Sequence, residues 1–158
     1  MRKINEMDLD AIYELCHLLR EENARMSFTN IKDHSQINEW LSDPLVSVFG
    51  DFGDDGQLRG LLKATRGKDN KSHSAYLAVA THPDHRKMNI AHSLTLFALE
   101  SLKEEGVLIA RTYIYSWNHA SIATIEKCGF TLSGRIVMHE FDEVSQTYID
   151  DLIYYKLL

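Results

Sequence analysis

The sequence predicts an α/β protein in which a mixed sheet of about seven strands carries helices on both faces, in the order β-α-α-β-β-β-α-β-α-β-β. Three observations predict it. An apolar repeat at helical spacing near the N-terminus gives way to short apolar runs separated by Asp-Asp-Gly, helix and strand patterns then alternate, and two long strand-like runs close the chain. A meander followed by a strand-helix-strand unit cannot be wholly antiparallel, so the sheet is mixed.

The elements follow in order. Arg2 to Asn5 reads as a short strand, and Leu9, Ile12, Tyr13, Cys16 and Leu19 recur at helical spacing, predicting a helix from Asp8 to about Arg25. A second short helix fits Ser35 to Leu41. "LVSVFGDFGDDGQLRGLLKAT" places two apolar runs around a hairpin turn, with strands over Val46 to Asp51 and Leu58 to Thr65. "RGKDNKS" is a polar turn and "HSAYLAVAT" a third strand. Ile90, Leu94, Phe97, Ala98 and Leu102 share the face of a helix ending at Gly106, "VLIARTYIYS" is a strand, and Ser121 to Lys127 is a short helix stopped by Gly129. Thr131 to Phe141 and Thr147 to Leu157 are the last strands.

With 158 residues, 44% hydrophobic and 25% charged, the chain suits one domain over residues 1–158. There is no apolar run of the roughly 18 residues a membrane span requires, and "MRKINEMDLD" lacks a signal-peptide core, so a cytoplasmic protein without a membrane partner is expected. Cys16 and Cys128 are read as reduced. A net charge of -6 argues against a nucleic-acid partner and suits a cationic substrate better.

The stretch "VATHPDHRKMNIAHSL", Val79 to Leu94, joins a strand to a helix through Pro83, Arg86 and Lys87. Unpaired N–H groups at a helix start, backed by the helix dipole and two basic residues, make an anion site suited to phosphate or pyrophosphate. Solvated basic residues are the other reading. The chain contains neither G-x-x-x-x-G-K-[ST] nor G-x-G-x-x-G. The stretch resembles the signature of the GNAT superfamily of acyl-CoA-dependent N-acyltransferases, V-x-P-x-x-R/Q followed by x-x-G-x-G/A, through Val79, Pro83, Arg86, Asn89 and Ala91. It departs in one extra residue between Val79 and Pro83 and in Asn89, which stands where the family usually has glycine; Asn is the best non-glycine choice for positive φ. "WNHASIATIEKCGF" is similar to the family's other cofactor segment at Asn118, Ser121, Ile122, Glu126, Lys127, Gly129 and Phe130.

The resemblance covers about residues 75 to 132 and is nearest to the ribosomal-protein alanine acetyltransferase-like subset, which like this chain keeps "EKxGF" and has no tyrosine at the place of Ile125. It implies a mostly antiparallel sheet splayed between its two central strands, with acetyl-CoA as co-substrate and no metal. Arg86, Lys87, Met88, Asn89, Ile90, Ala91 and His92 would receive the pyrophosphate, the backbone of Leu77, Val79 and Thr81 the pantetheine arm, and Asn118, Ser121 and Lys127 would contribute from the other side. The implied reaction is direct acetyl transfer to a primary amine, on a small molecule or peptide, with a backbone N–H near Val79 as oxyanion donor. A non-catalytic coenzyme A sensor or partner-binding domain is the alternative.

An alkylammonium with pKa about 10.4 must lose a proton before it attacks. Tyr76, Tyr113 and Tyr115 on the central strands are candidates to assist, with Glu21, Glu22 and Glu140 as relays. His82, His85 and His92 are close in sequence but share no ligand spacing, so they are read as solvated or phosphate-adjacent rather than metal ligands. The segment Leu19 to Pro44 and the Phe141 to Thr147 turn are expected to shape the acceptor side, and the apolar last strand could serve a homodimer.

Overall fold

The computed structural model describes residues 1–158. Arg2–Lys3, β1, pairs antiparallel with Val46–Phe52, β2. The Arg2 guanidinium donates to both oxygens of Asp8 at 2.7 and 2.6 Å, and this hydrogen bonding holds the Asp8 carboxyl below its usual range. Leu9–Glu21 is α1, whose buried stripe is Ile12, Leu15, Cys16 and Leu19. It stops short of Arg25 because Asn23 turns left-handed at φ 57 and the Ala24 N–H bonds back to the Leu19 carbonyl at 2.9 Å. His34–Ser42, α2, begins at Asp33, whose side chain accepts from the N–H groups of Ser35 and Gln36.

Leu58–Arg66, β3, and Ser74–Thr81, β4, complete an antiparallel meander with β2, and Gly56 at φ 83 supplies the left-handed residue of the first turn. The chain continues as α3 (Ile90–Glu104), β5 (Ile109–Tyr115), α4 (His119–Lys127), β6 (Thr131–Asp142) and β7 (Thr147–Leu157). The sheet order is β1-β2-β3-β4-β5-β7-β6, so the last strand inserts between β5 and β6. Only β4 and β5 run parallel.

Two apolar clusters cover the two faces. Leu62, Leu77, Leu94, Ile114, Ile125 and Phe130 pack between the sheet and α3 and α4, whereas Ile12, Leu19, Phe28, Ile37, Leu61 and Ala80 pack under α1 and α2. Phe28 is wholly buried and Met26 partly so, making packing the role of that segment's apolar residues. Helices α1 and α2 cover the β1–β4 half of their face. No helix is long and apolar enough to cross a membrane.

Gly60 sets how closely α3 approaches the sheet. A Cβ there would lie 2.6 Å from Ile90 Cγ2 and 3.3 Å from Leu94 Cδ2, and Ile90 is the first residue of α3. Gly60→Ala is therefore expected to destabilise the fold by about 1–3 kcal/mol and to displace the start of α3. A denaturant titration checks the first effect and an anion-binding titration the second; unchanged values in both would show that Ile90 simply re-rotates.

Candidate active site

The β4–β5 ladder has three rungs, Ser74↔Ile109, Ala75↔Ala110 and Tyr76↔Arg111, beyond which the strands part. The hydrogen bonds of β4 to β3 show which groups face the gap. His82 N–H donates to the Arg59 carbonyl and Gly67 N–H to the Ser74 carbonyl, so the even-numbered residues of β4 spend their backbone groups on β3. Leu77, Val79 and Thr81 turn theirs toward β5; the Leu77 N–H closes the last rung beside Tyr76↔Arg111, and the Leu77 carbonyl with the groups of Val79 and Thr81 lie beyond it, where the strands part. An unpaired strand edge is a ready template for an extended chain.

At the end of that edge lies the basic loop. Pro83–His85 makes a single 3-10 turn, after which Lys87 at φ 64 and Asn89 at φ 61 are both left-handed. The expectation that asparagine would hold the glycine-like turn is met by these angles. The first helical bond of α3 runs from Ser93 N–H to the Asn89 carbonyl at 3.1 Å, so the N–H groups of Ile90, Ala91 and His92 precede the helical ladder. Alternating left-handed residues beside helix N–H groups that precede the ladder form a concave turn, and the exposed Lys87 and Met88 border it.

Two features of this loop were not legible beforehand. Arg86 is ion-paired with Glu22, just past the end of α1. The ion pair holds Glu22 against this loop, outside the group of residues on the acceptor side. His82 is buried rather than solvated; its Nδ1 accepts from Asp84 N–H at 3.2 Å, and the neighbouring His85 Nε2 lies 2.6 Å from Gln57 Oε1. Both imidazoles thus tie the loop to the β2–β3 turn. No group of three or more His, Cys, Asp or Glu side chains is placed to hold a metal ion.

An exposed ion pair is worth about 0–1 kcal/mol. Glu22→Gln is accordingly expected to tighten the binding of pyrophosphate, used as the probe anion, by at most about fivefold. Calorimetric titration checks this, and a weaker affinity in the variant would contradict competition between Glu22 and the anion for Arg86.

Helix α4 flanks the gap from the α3 side. The Asn118 side chain accepts from Ser121 N–H at 3.1 Å and so caps α4, while Cys128 Sγ lies 3.8 Å from the His92 carbonyl, linking the two helices. Val79 and Ile122 both pack on the cluster beneath. Ile125 is buried in that cluster, and Lys127 is exposed on the last turn of α4, on the carboxyl-terminal side of the helix away from its capped start.

The other face of the gap is aromatic and acidic. Tyr76 and Tyr113 lie with ring centroids 5.1 Å apart, and burial pushes the Tyr76 hydroxyl up to about 12. Tyr115 donates to Glu140, and burial together with that bond pushes its hydroxyl upward too. Both hydroxyls are therefore held protonated at neutral pH, able to donate hydrogen bonds. Beside them a cleft of about 340 Å³ is lined by Arg25, Tyr115, Glu140, Phe141, Asp142, Glu143 and Ile149. Arg25 pairs with Asp142 at 2.7 Å and lies 5.6 Å from the Trp117 ring centroid, joining the α1–α2 segment to the β6–β7 turn. Glu21 is largely exposed and faces His17 at 3.7 Å, outside this cleft.

The model of the acetyltransferase (GNAT) family matches residues 11–130. The chain belongs to the GNAT acetyltransferase family. No curated protein sequence matches it significantly. Among solved structures, a ribosomal-protein-alanine N-acetyltransferase from Brucella melitensis is 23% identical, with a TM-score of 0.87 over 99% of this chain and 98% of that one. The Salmonella typhimurium protein yncA, solved with its cofactor acetyl-CoA, is 18% identical with a TM-score of 0.87 over 99% and 92% of the two chains. A variant spermidine N-acetyltransferase from Vibrio cholerae is 21% identical, with a TM-score of 0.77 over 99% and 93%. At these identities the likeness shows the GNAT fold, a seven-stranded, mostly antiparallel sheet with four helices, as the sequence predicts.

Proposed function

We propose that this GNAT protein transfers the acetyl group of acetyl-CoA directly to a primary amine, on a small molecule or a peptide. The observation that carries the reading is the surface made by the gap-facing Leu77 carbonyl, the backbone of Val79 and Thr81, and the turn of Arg86 to His92. It suits a ligand with an extended amide-bearing arm and a pyrophosphate, which is the chemistry of coenzyme A. Asn118 and Ser121 line the opposite side of the gap as an already capped helix start, so their positions are fixed before any ligand arrives.

Acetyl-CoA supplies an activated acyl group as a thioester. The chain supplies orientation and charge stabilisation. Three residues beyond the last β4–β5 rung, Val79 is level with Ile114, and its N–H points into the gap where negative charge develops on the acyl oxygen. The acceptor enters from the acidic cleft, whose carboxylates favour an ammonium group. Tyr76, Tyr113 and Tyr115 border the path from cleft to gap, where the neutral hydroxyls of Tyr76 and Tyr115 orient the amine or donate to the departing thiolate.

The test is acetyl-CoA turnover with propylamine, 1,4-diaminobutane and an alanyl-terminated peptide, read by thiol release and by the mass of the acceptor. Amine-dependent thiol release with one acetyl group added to the acceptor is expected. Binding of acetyl-CoA without turnover on any amine would replace this reading by that of a coenzyme A-binding domain.

A further inference from the structure

The β6–β7 ladder skips between Ile136 and Glu140, which pair with Asp151 and Ile149, so Val137, Met138 and His139 form a bulge. Met138 within it is left-handed at φ 53, and its N–H donates to Asp150 at 2.7 Å. Bulges re-aim side chains, and this one aims His139 at Asp151, with Nε2 3.6 Å from the carboxylate.

Asp151 itself is only 7% exposed, and its carboxylate makes no hydrogen bond within the chain, the His139 contact being an ion-pair distance. Its oxygens are not sealed off: with 10% of the side chain exposed they still reach solvent, so an ammonium group can approach a carboxylate that no protein donor occupies. Its strand position defines where that ligand sits. Asp151 is directly opposite Tyr115 on β5 and two residues from Ile149, a wall of the cleft, so all three share one face of the sheet. Leu152 and Tyr154 point to the α3 side. The carboxylate therefore stands one strand from the parted β4–β5 gap, on the acceptor face.

We propose that Asp151 is the catalytic base, receiving the proton of the acceptor ammonium before attack. The inference rests on the acetyl-transfer reading. One N–H bond of the ammonium breaks, its electron pair stays on nitrogen, and an O–H bond forms on Asp151. The nitrogen then bonds to the acyl carbon, the C–S bond breaks, and the thiolate takes the second nitrogen proton. The proton on Asp151 leaves to solvent past the half-exposed His139. The groups facing Asp151 are Tyr115 and Tyr113 from β5, Tyr76 from β4, and His139 and Glu140 from β6. Burial raises its pKa, opposed by His139 and assisted by Glu140, which makes it a better base than an exposed aspartate.

The same shift fixes a sign for stability. A carboxyl raised in the folded state contributes most below its unfolded pKa, and that contribution is lost as pH rises through the folded value. Asp151→Asn is therefore expected to melt higher than wild type at pH 7, with the difference closing toward low pH.

The experiment compares pH profiles of kcat/KM for wild type, Asp151→Asn and Asp151→Glu, using the fastest amine of the three above. Asp151→Asn is expected to lose about 10²–10⁴-fold and its acid limb, with acetyl-CoA affinity unchanged, while Asp151→Glu keeps a limb. Retention of the acid limb in Asp151→Asn would overturn the assignment. Should the amide variant not fold, Asp151→Glu carries the test: a displaced acid limb supports the base and an unmoved one overturns it. No turnover by wild type would instead overturn the acetyl-transfer reading, and the inference with it.

Discussion

Val79→Pro is expected to lower kcat by about 10²–10³-fold, the range set by loss of one oxyanion donor, while leaving the protein folded. The fold survives because the Val79 N–H makes no bond to β3; it points to the gap, as the bonding of His82 and Ser74 establishes. Proline is tolerated on a strand where its missing N–H faces away from the ladder, and Ala78 before it already has the extended backbone that proline demands. Ala80→Pro is the control. Its N–H belongs to the β3 ladder and its side chain to the α1–α2 core, so that variant is expected to melt far lower. Thermal melts with single-turnover rates separate the two cases. An unchanged rate in folded Val79→Pro would remove the Val79 N–H from the chemistry.

Arg86→Ala is expected to weaken acetyl-CoA binding by roughly tenfold or more. A charged hydrogen bond to phosphate is worth about 1.5–3 kcal/mol, and every 1.4 kcal/mol is about tenfold in Kd. The ion pair with Glu22 must be broken first, which offsets at most about 1 kcal/mol for so exposed a contact. The loss should shrink as salt rises and should leave kcat at saturation nearly unchanged, because the pyrophosphate lies far from the bond being made. Calorimetry at two ionic strengths checks both statements. Equal affinities for wild type and variant would place the anion elsewhere on the surface.

The local parts of this site were written in local sequence. Pro83, Arg86, Asn89 and Ala91 specify a strand-loop-helix junction, and the left-handed angle at Asn89 is one the residue type itself permits. The gap-facing residues Leu77, Val79 and Thr81 follow from period-two alternation once β4 is recognised. What stayed hidden depends on pairing between distant segments. Nothing in the sequence around Glu22 announces Arg86, 64 residues away. Nothing in "YIDDLIYYKLL" says that β7 inserts between β5 and β6, which alone brings Asp151 beside Tyr115. Neither β4 nor β5 carries a carboxylate, so the one on this face comes from β7, whose place beside β5 only the folded chain shows. The β6 bulge was hidden for the same reason, since an extra residue is visible only against its partner's register.

The most direct test of the central claim, that the parted β4–β5 edge binds the acyl-CoA arm, is a coenzyme A titration followed by backbone amide NMR. Alternation along β4 is expected: the amides of Val79 and Thr81 shift strongly, while Ala78 and Ala80, bonded to β3, and Leu77, bonded to β5, move little. Shifts confined to the cleft around Arg25 and Asp142, or a uniform response along the strand, would contradict it.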